Sequence, residues 1–190
     1  MPIHKFSCLS SIIGGCNNNV CCCSENSAII GGFDNCVCCS NSSSIIGGSD
    51  NCICESQRSV IIGGYDNRIC CGSDYSIISG GYSNDICNDS RQSAIVGGFN
   101  NTVKDNSCNS VIVGGCDNLI QYQSDESSII GGYNNTIREG NEGSIILGGA
   151  YNEICNYSCR SIISAGYSNY IACNSCYSSI TGGCNNKVYC

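Results

Sequence analysis

Apolar and polar positions alternate in short runs along this chain, and the runs return at a nearly fixed interval. Each unit reads serine, any residue, isoleucine, any residue, two glycines, two variable positions, asparagine, any residue, then valine or isoleucine. The glycine step occurs eleven times, from Gly14-Gly15 to Gly182-Gly183, with Ala165-Gly166 as the one departure. The steps are 17 residues apart except for two consecutive intervals of 16. The asparagine column is Asn18, Asn35, Asn51, Asn67, Asn84, Asn101, Asn118, Asn135, Asn152, Asn169 and Asn186. A branched residue follows two places on in every unit, from Val20 to Val188, and an isoleucine precedes every step, from Ile12 to Ile180. So short a period has no room for a helix pair, and Gly, Asn, Ser, Ile and Val alternating with a period of two are poor helix material. It suits one coil of a solenoid, in which short strands joined by tight turns stack at strand spacing. The predicted fold is all-β, a parallel β-solenoid of about eleven 16-17-residue coils forming a single repeat domain over residues 1-190.

Within the strand that ends at each glycine step, the serine, the isoleucine and the first glycine are expected on one, inward face. The opposite face is also apolar: Val60 and Ile62, Ala94 and Val96, Val111 and Val113, Ile145 and Leu147. A strand that is apolar on both faces is normally buried on both. One side is the solenoid interior, so Val60, Ile62, Val96, Val111, Val113, Ile145 and Leu147 are expected to form a seam with other chains. The asparagines suit a stacked amide ladder or a turn-holding role.

The unit as it stands in Ser127-Ser128-Ile129-Ile130-Gly131-Gly132-Tyr133-Asn134-Asn135-Thr136-Ile137 resembles the YadA-like head repeats of trimeric autotransporter adhesins. The likeness covers residues 3 to 188 and centres on the Gly-Gly-x-x-Asn core. It implies a left-handed parallel β-roll in which three chains pack about a common axis. The bacterial repeats usually carry alanine after the asparagine where this chain has Val or Ile, and they are shorter and almost free of cysteine. A leader, a heptad stalk and a barrel anchor are not expected either, since the repeat pattern runs through the sequence from residue 3 to 188. Similar repeats occur in phage and giant-virus fibre proteins, a setting that needs no such anchor.

Charge and sulfur narrow the partners. The net charge is −7 with eight Lys and Arg and no basic run, so nucleic acid is not expected as a partner, and no apolar run is long enough for membrane insertion. Cysteine occurs 21 times, and in columns. Cys21, Cys38, Cys54, Cys70 and Cys87 follow the branched residue, and neighbouring columns align Cys22 with Cys39, Cys36 with Cys52, Cys159 with Cys176, and Cys173 with Cys190. In-register residues of adjacent coils stand roughly 4.8 Å apart, within disulfide range. Disulfides between coils are the first expectation, with inert thiols or a metal site as the alternatives. Disulfides would place the protein outside a reducing cytosol, in an extracellular setting or on a virion surface.

No cofactor or metal is expected. The calcium β-roll pattern lacks its further glycine and fixed aspartate, phosphate loops need a lysine and a helix start, and the acids Asp74, Glu126, Glu139 and Glu142 lie in variable turns without a fixed second group. Catalysis is therefore not expected. Phe33, Tyr65, Tyr82, Phe99, Tyr133 and Tyr167 share a column with Cys16, Cys116 and Cys184, which suits either corner packing or a stacking surface for glycans or a cell-surface receptor. Three functions follow: first a structural protein building a disulfide-stapled surface fibre or filament, with chains joining end to end as well as in trimers; second an adhesin or receptor-binding head; third ice binding, which requires the serine columns to face water.

Overall fold

The computed structural model describes residues 9–21 and 23–189. Strands of two or three residues alternate between two parallel sheets. The first sheet runs from Ser11–Ile13 to Ser179–Ile180 and the second from Asn19–Val20 to Lys187–Val188, each with eleven strands in chain order. Equivalent residues pair, as in Ile12 with Ile29 and Ile45, or Val37 with Ile53 and Ile69, so the sequence columns are physical columns along the rod. A third, thinner ladder of isolated bridges runs along the corner between the sheets, from Cys16 and Phe33 to Tyr167 and Cys184.

The two aliphatic columns, Ile29 to Ile163 and Val37 to Ile171, point inward and lose all contact with solvent. Branched residues suit this place because their stiff side chains repeat the same rotamer at the same height in each coil. The core is only two residues wide per coil, and buried polar ladders complete it. Asn67 donates its backbone N–H and its Nδ2 to Asn51 Oδ1 at 3.0 and 3.1 Å, and the same Nδ2 reaches the Gly81 carbonyl at 3.0 Å. Backbone N–H to Oδ1 bonds of this kind link all the asparagines from Asn18 to Asn186.

Two serine columns repeat the device. Ser43 accepts the Ser59 N–H on its Oγ at 3.2 Å and donates that hydroxyl to the Ser56 carbonyl at 3.0 Å, while Ser40 Oγ accepts the Ser56 N–H at 3.0 Å. Asn141 stands in one serine position, and its Oδ1 accepts the Ser158 N–H at 2.5 Å. Most buried polar groups of these columns are thereby paired, as burial demands, with Ser175 Oγ as an exception.

The glycine step shows why its two members differ. A Cβ on Gly98, whose φ is +93°, would collide with Asn101 Nδ2 and the Gly115 carbonyl oxygen. The second glycine is therefore the floor on which the amide ladder lies. The first glycine does not share the inward face expected for it: at Gly97 a Cβ would meet nothing within 4 Å, and φ of +70° marks a corner that turns outward. The residue before each asparagine is also left-handed, as at Asp34, Asp50, Asp66, Asn100 and Asn134, which explains the Asp and Asn enrichment there.

Candidate functional site

The outer face of the first sheet is an apolar surface that runs along the rod, interrupted at Ser79 and Ser164. Val60, Val111 and Ile145 are half-buried, whereas Ile62, Val96, Val113 and Leu147 are 42 to 47% exposed in the single chain. Ile13, Ile30, Ile46 and Ile130 continue the exposed column. Neither outer column of this sheet, Ser11 to Ser179 or Ile13 to Thr181, contains a charged residue. The outer face of the second sheet instead carries Arg68, Asp85, Lys104, Arg138 and Glu153, the last two joined by an ion pair at 2.5 Å. An aliphatic stripe of this length is unusual on a solitary soluble chain.

The corner ladder carries the aromatic column. Tyr65, Tyr82 and Phe99 stack with ring centroids 5.1 Å apart and planes within 18°. Ser49, Cys116, Ala150 and Cys184 interrupt the stack. Where Ala150 interrupts, Tyr151 takes its place from the next position and packs edge-on against Tyr133 at 5.2 Å and Tyr167 at 5.5 Å. Column reasoning missed Tyr151, because only its left-handed backbone, with φ +57°, swings the ring across.

The outer face of the second sheet holds the cysteines that pair in register along its strands. Cys36 pairs in register with Cys52, and Cys38 with Cys54 and then Cys70. These are thiols rather than the disulfides expected of them, as are Cys21, Cys159 and Cys176. Cys21 Sγ stands 4.0 Å from Cys36 Sγ, and Cys38 Sγ contacts Cys39 Sγ at 3.8 Å. Cys159 and Cys176 do not join each other; their thiols donate to the Gly140 and Tyr157 carbonyls at 3.1 and 3.3 Å. Cys173 bonds Cys155 rather than the expected Cys190, which, like Cys22, lies outside the described residues. The Cys155–Cys173 bond runs diagonally, from the position after the branched residue in one coil to the second position after it in the next, and its Cα atoms are 4.7 Å apart. The bond thus crosses between neighbouring columns instead of running along one.

Electrostatics separate these thiols. The Cys36 thiol hydrogen-bonds Cys52, which together with burial raises Cys36. The same bond, helped by Arg68, pulls Cys52 down to about 7 against the opposing effect of burial. Arg68 adds to this as the in-register neighbour of Cys52 and not of Cys36. Cys70 is raised by its bond with Cys87 and by burial, and Cys38 is raised by burial first. Beyond Arg68 lies Asp85, raised chiefly by burial, whose Oδ1 is buried without a hydrogen-bond partner. Among the described residues, no group of three or more His, Cys, Asp or Glu is arranged to hold a metal ion. No family model matches the chain, and no curated protein matches it in sequence.

Proposed function

We propose that this chain is a structural rod that builds a surface fibre or extracellular filament by lateral association of its own copies, three chains meeting through the outer face of the first sheet. The observation that carries this is the aliphatic stripe of Ile30, Ile46, Ile62, Val96, Val113, Ile130 and Leu147, exposed on a sheet face without a charged residue, whereas the outer face of the second sheet carries Arg68, Asp85, Lys104, Arg138 and Glu153. Burying it removes apolar area that the single chain leaves in water. The likeness of the repeat to YadA-like heads and to virus fibre repeats points to the same arrangement, and the thiol face of the second sheet supplies covalent staples in an oxidising setting such as a virion surface. The test is sedimentation of the reduced chain beside a Val96→Lys, Val113→Lys variant. The wild type is expected as trimers or larger rods and the variant as single chains with an unchanged β circular-dichroism spectrum. An unchanged mass in a folded variant would reject this interface.

A second reading, an adhesin or receptor-binding head, is favoured by the Tyr65, Tyr82 and Phe99 stack, whose rings are 45 to 46% exposed and offer flat faces to sugar rings. Glycan-array binding that Tyr82→Ala abolishes would support it. Ice binding is disfavoured because the regular hydroxyl columns, Ser24 to Ser175 and Ser27 to Ser161, are buried.

A further inference from the structure

We infer that Cys36 and Cys52 form a thiol–disulfide entry point, at which Cys52 attacks a small-molecule disulfide and Cys36 resolves the product into a bond between coils. The inference rests on the reading of the thiol face as the staple of the fibre, and it adds which sulfur acts first, on what, and toward which partner. The two cysteines are in-register neighbours on the strands Cys36–Cys38 and Cys52–Cys54, where Cα spacing admits a disulfide. Both are half-buried thiols. Arg68 follows Cys52 in the same column, so a cation flanks the sulfur on the side opposite Cys36.

The groups that face Cys52 are Cys36 on the preceding strand, Arg68 on the following one and Cys54 on its own, with Asp85 beyond Arg68. Cys38 and Cys54 have only sulfur in register, and Cys87, with Cys70 before it and Lys104 after it, is buried where Cys52 is half-buried and open to a small molecule. A thiolate beside a cation is the nucleophile in thiol exchange, and its acidity near neutral pH suits attack at neutral pH.

The chemistry balances with a disulfide of the glutathione type as oxidant. Cys52 sulfur bonds one sulfur of the small disulfide and releases the other as a thiolate. Cys36 then loses its proton to solvent, attacks the Cys52 sulfur and releases the second thiolate. Two protein thiols become one disulfide, and their two electrons and two protons leave with two molecules of the small thiol.

The experiment treats the fully reduced chain at neutral pH with less than one equivalent of oxidised glutathione, followed by acid quench, alkylation and peptide mass mapping. The wild type is expected to yield a Cys36–Cys52 link, and Cys36→Ser to accumulate the glutathione adduct on Cys52. Arg68→Gln should slow the first adduct roughly tenfold at neutral pH, the loss of thiolate expected when a flanking cation is removed. Arg68→Lys should restore most of the rate, which a purely structural role for the arginine would not predict. Adducts spread evenly over Cys38, Cys54 and Cys70, or an unchanged rate in a folded Arg68→Gln protein, would overturn the entry order. If Cys36 and Cys52 still become linked, the staple stands and only the order falls; if no link between coils forms with excess oxidant, both fall.

Discussion

Asn101 shows how much a single residue holds in this fold. Its Oδ1 accepts the N–H and the Nδ2 of Asn118 at 3.1 and 3.0 Å, and its own Nδ2 donates to Gly115 at 3.1 Å. Replacing it with alanine leaves the buried Asn118 N–H without a partner, while the Asn118 amide keeps the Gly132 carbonyl and the Gly115 carbonyl keeps the Phe99 N–H. An orphaned buried donor costs about 1–3 kcal/mol, so Asn101→Ala is expected to destabilise the reduced chain by at least that much in urea unfolding. A change below about 1 kcal/mol would mean that water or a shifted backbone repairs the ladder. Asp85 works in the other direction. Burial raises its folded pKa above the unfolded value, so the native state holds an extra proton between the two values. Stability therefore falls as pH rises through that window, and above it the fold carries a poorly solvated carboxylate with an unpaired Oδ1. Asp85→Asn should stabilise the protein at neutral pH by on the order of 1 kcal/mol and make no difference near pH 3, below both pKa values. Equal stability of the two proteins at both pH values would show that Arg68 and Lys104 already compensate the charge.

At the scale of the coil, every unit is interchangeable in register, and this makes a deletion predictable. Ala94 pairs with Val111, so removing residues 94–110 joins Ser93 to Val111 and leaves every column continuous. Stability in such arrays is a sum of coil and neighbour terms, so the shortened chain should keep its β spectrum and melt only a few degrees lower. Removing residues 94–101 instead breaks the phase of the columns and should unfold the neighbouring coils; similar melting of the two deletions would contradict coil equivalence. The coil was legible in the sequence because each column repeats one chemical demand: Ile29 and Val37 for the interior, Gly32 for the amide floor, Asn35 for the ladder. What escaped were the relations that cross columns. Cys155 and Cys173 meet on a diagonal, and Tyr151 leaves its column to fill the gap at Ala150. The outward turn of the first glycine was missed for a related reason, since a period of two assigns faces only until the backbone enters a positive-φ corner.

At the scale of the whole molecule, charge and apolar surface are separated. The chain carries a net charge of −7, yet the outer face of the first sheet carries none. Copies of the rod that approach through that face bring no opposite charges together, while the acids elsewhere repel one another at long range. Salt should therefore favour association: added ions screen the repulsion and strengthen apolar burial. Raising sodium chloride from about 10 mM, where the Debye length is about 30 Å, to about 1 M, where it is about 3 Å, is expected to shift the reduced chain toward larger sedimenting species. Sodium sulfate should act at lower concentration, because it is more strongly excluded from apolar surface. An interface made of ion pairs, such as one built on Arg138 and Glu153 of the second sheet, would respond in the opposite sense and dissociate as salt rises. Association that weakens with salt would thus move the contact from the first sheet to the second, and single chains at every salt concentration would leave the aliphatic stripe without the partner proposed for it.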